Sequence, residues 1–186
     1  MKTHTNIPNL LTFARLLMVP IVVGLFYLDR PTSNWAAASI FILACITDYL
    51  DGYFARTLSQ ISDLGKFLDP IADKVLIAAT ILMLVGFDRI GHLSLIPAVI
   101  ILCREVLVSG LREFLADTKV PLPVTQLAKW KTGIQMTALS LLIIDYIPQW
   151  PILPIDFLGT LGLWIAGFLT VLTGYDYLKA GLQHID

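Results

Sequence analysis

Charge is what this chain has least of. Asp, Glu, Lys and Arg together make up 15% of its 186 residues, against 56% for hydrophobic types. A soluble domain carries roughly a quarter charged residues, so an ordinary water-facing surface is excluded. Net charge is −1, with no basic tail and no basic stripe interleaved with aromatics, which argues against a nucleic-acid partner. Cysteine is nearly absent. Cys45 and Cys103 both fall inside apolar runs and read as small buried apolar residues, so neither a disulfide nor a metal pair is needed. No Glu-x-x-His pair occurs, which removes a di-iron carboxylate bundle. Tandem repeats, low-complexity tracts and a second domain are also missing.

What is present is apolar length. A membrane span needs about 20 mostly apolar residues, and such stretches occupy nearly the whole chain. The predicted architecture is all-α: one polytopic membrane domain over residues 1–186, with six transmembrane helices. They are placed at 16–28, 35–57, 63–85, 94–116, 125–147 and 156–180. Pro8 suits a first helical turn, and residues 7–15 are predicted to form a short N-terminal interfacial helix. Arg15 interrupts the early apolar run and Leu16–Leu28 reads on as body, so a cleaved signal peptide is not expected. Loops are predicted at 29–34, at 87–93, at 117–123 with Pro121 and Pro123, and around Pro148, Pro151 and Pro154.

Six spans put both termini on one side. With that side cytoplasmic, all 13 Lys and Arg except Arg30 and Arg89 belong to the cytoplasmic half, as the positive-inside rule requires. The expected location is a bacterial inner membrane, with both termini and the acidic string described next at the cytoplasmic side. Gly159, Gly162, Gly167 and Gly174 on the sixth span resemble close-packing positions. Packing within one chain is their first reading and a dimer contact the second; a homodimer is the expected assembly.

Against this background one string stands out: Asp48, Asp51, Gly52, Ala55 and Arg56, then Gly65, Asp69 and Asp73. Residues three and four apart share a helix face, so each group lines one side of its span, and the short connection is predicted to fold the two faces against each other. Like charges 4 Å apart repel by about 4 kcal/mol even at an effective dielectric of 20. Four carboxylates therefore call for a bound cation. Oxygen ligands without His or Cys favour Mg²⁺ or Mn²⁺ over zinc, and two ions suit phosphoryl displacement. Gly52 and Ala55 leave their face bare for a bulky ligand, and Arg56 can grip a phosphate bidentately. A proton or cation carrier is the alternative from another class, but it leaves the bare face and Arg56 unexplained.

The string resembles the signature of the CDP-alcohol phosphotransferase family at every fixed position. That resemblance implies divalent-metal-dependent transfer of a phosphatidyl group from a CDP-linked lipid, CDP-diacylglycerol, to an alcohol, with release of CMP. It implies that Asp48, Asp51, Asp69 and Asp73 hold the metals, with Asp73 also the general base. Gly52, Ala55 and Arg56 would receive the CDP moiety, completed by Gly65 and Ser62, with Asn9 and Thr12 touching the nucleotide from the N-terminal segment. Ser62 also reads as a helix N-cap.

The acceptor is read separately. Arg104 and Arg112 on the fourth span, with Lys129 and Lys131 opening the fifth, form a basic cluster suited to an acceptor phosphate. Snorkelling and ion pairs with Glu105 and Glu113 are the competing reading. Lys129 and Lys131 diverge, so only one is expected to face inward. The stretches Asn6–Arg15 (NIPNLLTFAR), Gly65–Lys74 (GKFLDPIADK), Arg104–Arg112 (REVLVSGLR) and Lys129–Thr132 (KWKT) look like the bacterial branch of the family that uses glycerol 3-phosphate. Inositol phosphate or serine is the alternative acceptor.

Overall fold

The apolar runs fold as α-helices: α1 (Ile7–Leu25), α2 (Thr32–Thr57), α3 (Asp63–Gly86), α4 (Leu95–Asp117), α5 (Gln126–Ile144) and α6 (Ile155–Leu182). A 3₁₀ turn at His92–Ser94 leads into α4. This computed structural model describes residues 7–57, 63–117, 125–145 and 154–182; within those stretches the side chains of 7–8, 49, 51–57, 63–64, 66, 116–117 and 180–182 lie outside the description. No strand occurs among the described residues.

The bounds of α3 to α6 fall within a few residues of those predicted, because polar and proline-bearing segments interrupt the apolar runs there. The N-terminal end departs from expectation. The interfacial helix at 7–15 and the first span at 16–28 are one continuous helix, α1, with no break at Arg15. The reason is electrostatic. The Arg15 guanidinium is fully buried and meets two carboxylates, so its charge does not force the chain out to an interface.

The chain divides into two compact units, Met1–Phe87 and Asp88–Asp186. In the first, α1 packs against both α2 and α3. Val22 of α1, Phe26 in the turn just after it, Phe41 and Ala44 of α2, and Ala72 and Leu76 of α3 are buried in its core. Away from the acidic end, the Phe87 ring lies 5.6 Å from Phe26 and 5.3 Å from Tyr27, spacings at which aromatic rings attract.

In the second unit α6 packs against both α4 and α5. Its glycines permit this. A Cβ added at Gly159 would lie 2.8 Å from Leu142 Cγ, one at Gly162 2.9 Å from Ala138 Cβ, and one at Gly167 2.6 Å from Pro97 Cβ. Packing within the chain is thus their role. Thr125 caps α5 by accepting a hydrogen bond from the Ala128 amide at 3.2 Å, filling one orphan donor of the first turn. At the other end Arg89 donates to the Ile143 carbonyl and lies 3.9 Å from Asp145, a cation where the helix dipole favours one.

Among the described residues two stretches, His92–Leu115 and Ile155–Lys179, are long and apolar enough to cross a membrane; Asn9–Leu25 is a shorter apolar helix. Among the described residues of the other predicted spans, α3 carries Asp69, Asp73 and Lys74 close together, and α5 carries Lys129 and Lys131 in its first turns.

Candidate active site

In an otherwise apolar α1, Asn9, Thr12 and Arg15 recur every third residue and form a polar edge. Thr12 and Arg15 are completely buried. A buried guanidinium is tolerated only where anions meet it, and here they do. Arg15 Nη1 donates to Asp73 Oδ1 at 2.6 Å and lies 3.0 Å from Asp48 Oδ1. One turn earlier, Thr12 Oγ1 donates to Asp69 Oδ1 at 2.5 Å. Asp48 comes from α2; Asp69 and Asp73 come from successive turns of α3.

The acidic faces of α2 and α3 contribute side chains to one cluster, with α1 as a third member that the sequence did not suggest. Both helices pack on α1, and their carboxylates gather around its polar edge. Arg15 is the residue that sequence reasoning missed as part of the site. Its signal was the three-residue spacing with Asn9 and Thr12, which puts all of them near one helix face.

Gly65 is buried one turn before Asp69, and Asn9 is half-buried one turn before Thr12. Asp51, Gly52, Ala55 and Arg56 lie on the last turns of α2, on the face of Asp48 by helical spacing; their side chains, and Ser62 altogether, lie outside the described residues. Among the described residues no three His, Cys, Asp or Glu side chains are grouped closely enough to hold a metal. The donor chemistry nonetheless suits a hard divalent cation. The acids are oxygen donors only, and a cationic nitrogen already sits between Asp48 and Asp73, so positive charge is stabilised at that point.

The second unit holds the basic cluster. Arg104 and Arg112 both lie against the Tyr177 ring, their guanidinium carbons 5.5 and 4.9 Å from its centroid, within cation–π range. Arg112 Nη2 also donates to the Tyr177 hydroxyl at 2.9 Å, and Arg104 Nη2 to Thr173 Oγ1 at 3.4 Å. Glu105 pairs with Arg104 at 3.4 Å and with the buried Lys131 ammonium. Glu113 is exposed. Lys129 diverges from Lys131 as expected: it is exposed and lines a groove along α5 and α6. Of the two lysines, only Lys131 joins the arginines. Tyr177 and Glu105 organise this cluster: Tyr177 lies 65 residues from Arg112 and 73 from Arg104, and Glu105 lies beside Arg104 and 26 residues from Lys131; α6 periodicity alone gave Tyr177 no distinction from core.

The sequence model for CDP-alcohol phosphatidyltransferase matches residues 5–172. A Rickettsia bellii protein named CDP-diacylglycerol--glycerol-3-phosphate 3-phosphatidyltransferase is 47% identical over 180 residues, 97% of each chain. Proteins of the same name from Bacillus subtilis and Cereibacter sphaeroides are 38% and 37% identical, covering 94% and 97% of both chains respectively. Since one match spans most of the sequence and the others nearly all of it, the chain belongs to the CDP-alcohol phosphatidyltransferase family.

Proposed function

We propose that this chain transfers the phosphatidyl group of CDP-diacylglycerol to glycerol 3-phosphate, giving phosphatidylglycerophosphate and CMP, a step of phospholipid biosynthesis. The observation that carries the reading is the 47% identity, over 97% of both chains, to a protein named for that reaction. The geometry supports the chemistry. Carboxylates of α2 and α3 gather at one polar edge of α1, where a nucleotide-activated phosphate and its counter-ions have acidic ligands to hold them.

The family is generally dependent on divalent metal. In this chain Asp48, Asp51, Asp69 and Asp73 would hold Mg²⁺ or Mn²⁺, two ions by the number of carboxylates. Bound there, the ions would neutralise the pyrophosphate and the charge developing on phosphorus. Arg15 and Thr12 fix the orientation of Asp73 and Asp69. Asp73 accepts the proton of the acceptor hydroxyl. The hydroxyl oxygen forms a bond to the phosphatidyl phosphorus, the pyrophosphate P–O bond breaks, and its electron pair leaves with CMP. Gly52, Ala55, Arg56, Ser62 and Gly65 receive the CDP moiety, with Asn9 at its edge. Arg104, Arg112 and Lys131 bind the acceptor's phosphate, a role that suits two guanidinium groups held on one ring.

We also propose that all six helices cross a bacterial inner membrane, with both termini cytoplasmic, as the distribution of Lys and Arg favours. The exposed faces support this. Leu161, Trp164, Ile165, Phe168 and Leu172 of α6 are all solvent-facing without a membrane, an apolar stripe that a bilayer would cover. The family match from 5 to 172 runs through both units, which supports their acting as one enzyme.

The test is incubation of detergent-purified protein with CDP-diacylglycerol and, separately, glycerol 3-phosphate, inositol phosphate and serine. The expected result is CMP release with glycerol 3-phosphate alone, abolished by chelation of divalent metal, with phosphatidylglycerophosphate as product. A phosphatidylserine product, or no CMP with any alcohol, would overturn the reading.

A further inference from the structure

We propose that the groove between α5 and α6 is a binding site for an anionic phospholipid of the bilayer, its phosphate on Lys129 and one acyl chain along the groove. The groove has a volume of about 570 Å³. Its charged and amide groups stand at one end, where Gln126, Lys129 and Trp130 lie on the first turns of α5. Beyond them the wall is small or apolar apart from the Thr137 hydroxyl, which is bonded to the Gly133 carbonyl, with Gly133, Ala138 and Leu141 on α5 facing Gly162 of α6. An amphiphile has this polarity profile.

The dimensions agree. From Trp130 to Leu141 the helix rises about 16 Å at 1.5 Å per residue, and one leaflet of the hydrocarbon core is about 15 Å deep. A chain whose headgroup sits beside Lys129 and Trp130 would thus run out where its leaflet ends. Trp130 is 70% exposed, the placement of an aromatic ring at headgroup level.

Charge selects the headgroup. Lys131, two residues on, is buried and paired with Glu105. Lys129 is exposed, no acidic partner meets it among the described residues, and no acidic residue lines the groove. A phosphate supplies the missing anion. The groove's width comes from Gly133: a Cβ added there would meet nothing within 4 Å, so the space beside it is open. Gly162 instead abuts Ala138 and forms the floor.

The site rests on the chain lying in a bilayer, and not on the identity of the acceptor alcohol. Native mass spectrometry of the detergent-solubilised full chain, titrated with dioleoyl phosphatidylglycerol or dioleoyl phosphatidylcholine, reads it directly. Wild type is expected to retain phosphatidylglycerol in preference. Lys129→Gln should lower that preference about fivefold, the scale of one lysine at an anionic lipid surface. Gly133→Leu fills the groove from a position with room for it and should remove the adduct of both lipids; Thr137→Phe fills the same groove from the next turn and serves if the first variant fails to fold.

Unchanged adducts in both filling variants would refute the site. A filling variant that loses adducts and also raises the KM for CDP-diacylglycerol would assign the groove to the donor substrate, again overturning the proposal. Conversion of a dimer to monomers by Gly133→Leu would identify the groove as a subunit contact, with the same consequence. Retained turnover with lost adducts supports a separate bilayer-lipid site. Wild-type protein that releases no CMP would count against the proposed reaction and leave the adduct result standing.

Discussion

Arg15 and Asp73, 58 residues apart in the chain, meet at 2.6 Å. The same guanidinium nitrogen also reaches Asp48 at 3.0 Å. Exposure across this cluster is lopsided: the arginine side chain is 0% exposed, while those of Asp48 and Asp73 are 43% and 40% exposed. The cation therefore lies behind the two carboxylates, which reach the surface in front of it. Carboxylates placed at the surface over a buried cation are positioned to meet a second one from outside.

Replacing Arg15 should damage both fold and turnover, in a graded way. Removing one partner from a fully buried pair costs roughly 3–5 kcal/mol; because these carboxylates reach solvent, Arg15→Ala is expected to cost about 2 kcal/mol. A single nitrogen makes both contacts, so Arg15→Lys should retain part of each. Thermal unfolding in detergent and CMP release should both rank wild type above Lys above Ala. An alanine variant as stable and active as wild type would remove Arg15 from the site.

Thr12 makes a narrower prediction. Its hydroxyl holds Asp69 from a completely buried position, and a hydrogen bond to a charged group contributes about 1.5–3 kcal/mol. Thr12→Val keeps the volume and loses the donor, so the chain should fold while turnover drops about tenfold or more and the divalent-metal activation curve shifts to higher concentration. Thr12→Ser should restore both. If valine and serine behave alike, the hydroxyl does not orient Asp69.

The sequence was informative wherever periodicity or breaks decide the outcome. Helices α3 to α6 were legible because Pro121, Pro123, Pro148 and their polar neighbours interrupt apolar runs. The aspartates could be placed on particular faces for the same reason. That α1 would supply partners to those faces was not legible, because helical spacing fixes a direction around one axis and carries no information about the neighbour. Contacts such as Thr12 to Asp69 span 57 residues. Arg15 was read as a boundary marker because an arginine in an apolar run normally is one, and only its two acidic partners on other helices overturn that. Tyr177 had no polar pattern to distinguish it; the two arginines that flank its ring come from another helix.

Glu105 tests whether the basic cluster binds an acceptor or merely stabilises the second unit. It is the acidic partner of the buried Lys131. Glu105→Gln should destabilise, because it leaves a buried ammonium with a weaker partner. Adding Lys131→Met should recover most of that stability, since the charge and its need for a partner leave together. The double variant should nonetheless show a KM for glycerol 3-phosphate raised about tenfold or more, the loss expected when one charge-assisted phosphate contact is removed, with the KM for CDP-diacylglycerol unchanged. Equal effects on the two KM values would make the pair structural.

The glycines of α6 give a prediction in which packing and acceptor binding separate. At Gly167 an added Cβ would meet the Pro97 ring at 2.6 Å and its Cα at 3.1 Å. A proline ring and backbone cannot swing away, so Gly167→Ala should cost about 1–3 kcal/mol, the usual range for overpacking, with KM values preserved in the folded fraction. At Gly174 the neighbour is Arg104 Cγ at 3.3 Å, part of a flexible side chain that can yield. Alanine is also favoured over glycine in a helix by about 0.8–1.0 kcal/mol, so Gly174→Ala should leave stability near wild type. Its effect should appear instead as a higher KM for glycerol 3-phosphate, because Arg104 must shift from Thr173 and Tyr177. Unfolding midpoints and both KM values for the two variants decide the matter; if Gly174→Ala changes neither KM, Arg104 does not contact the acceptor.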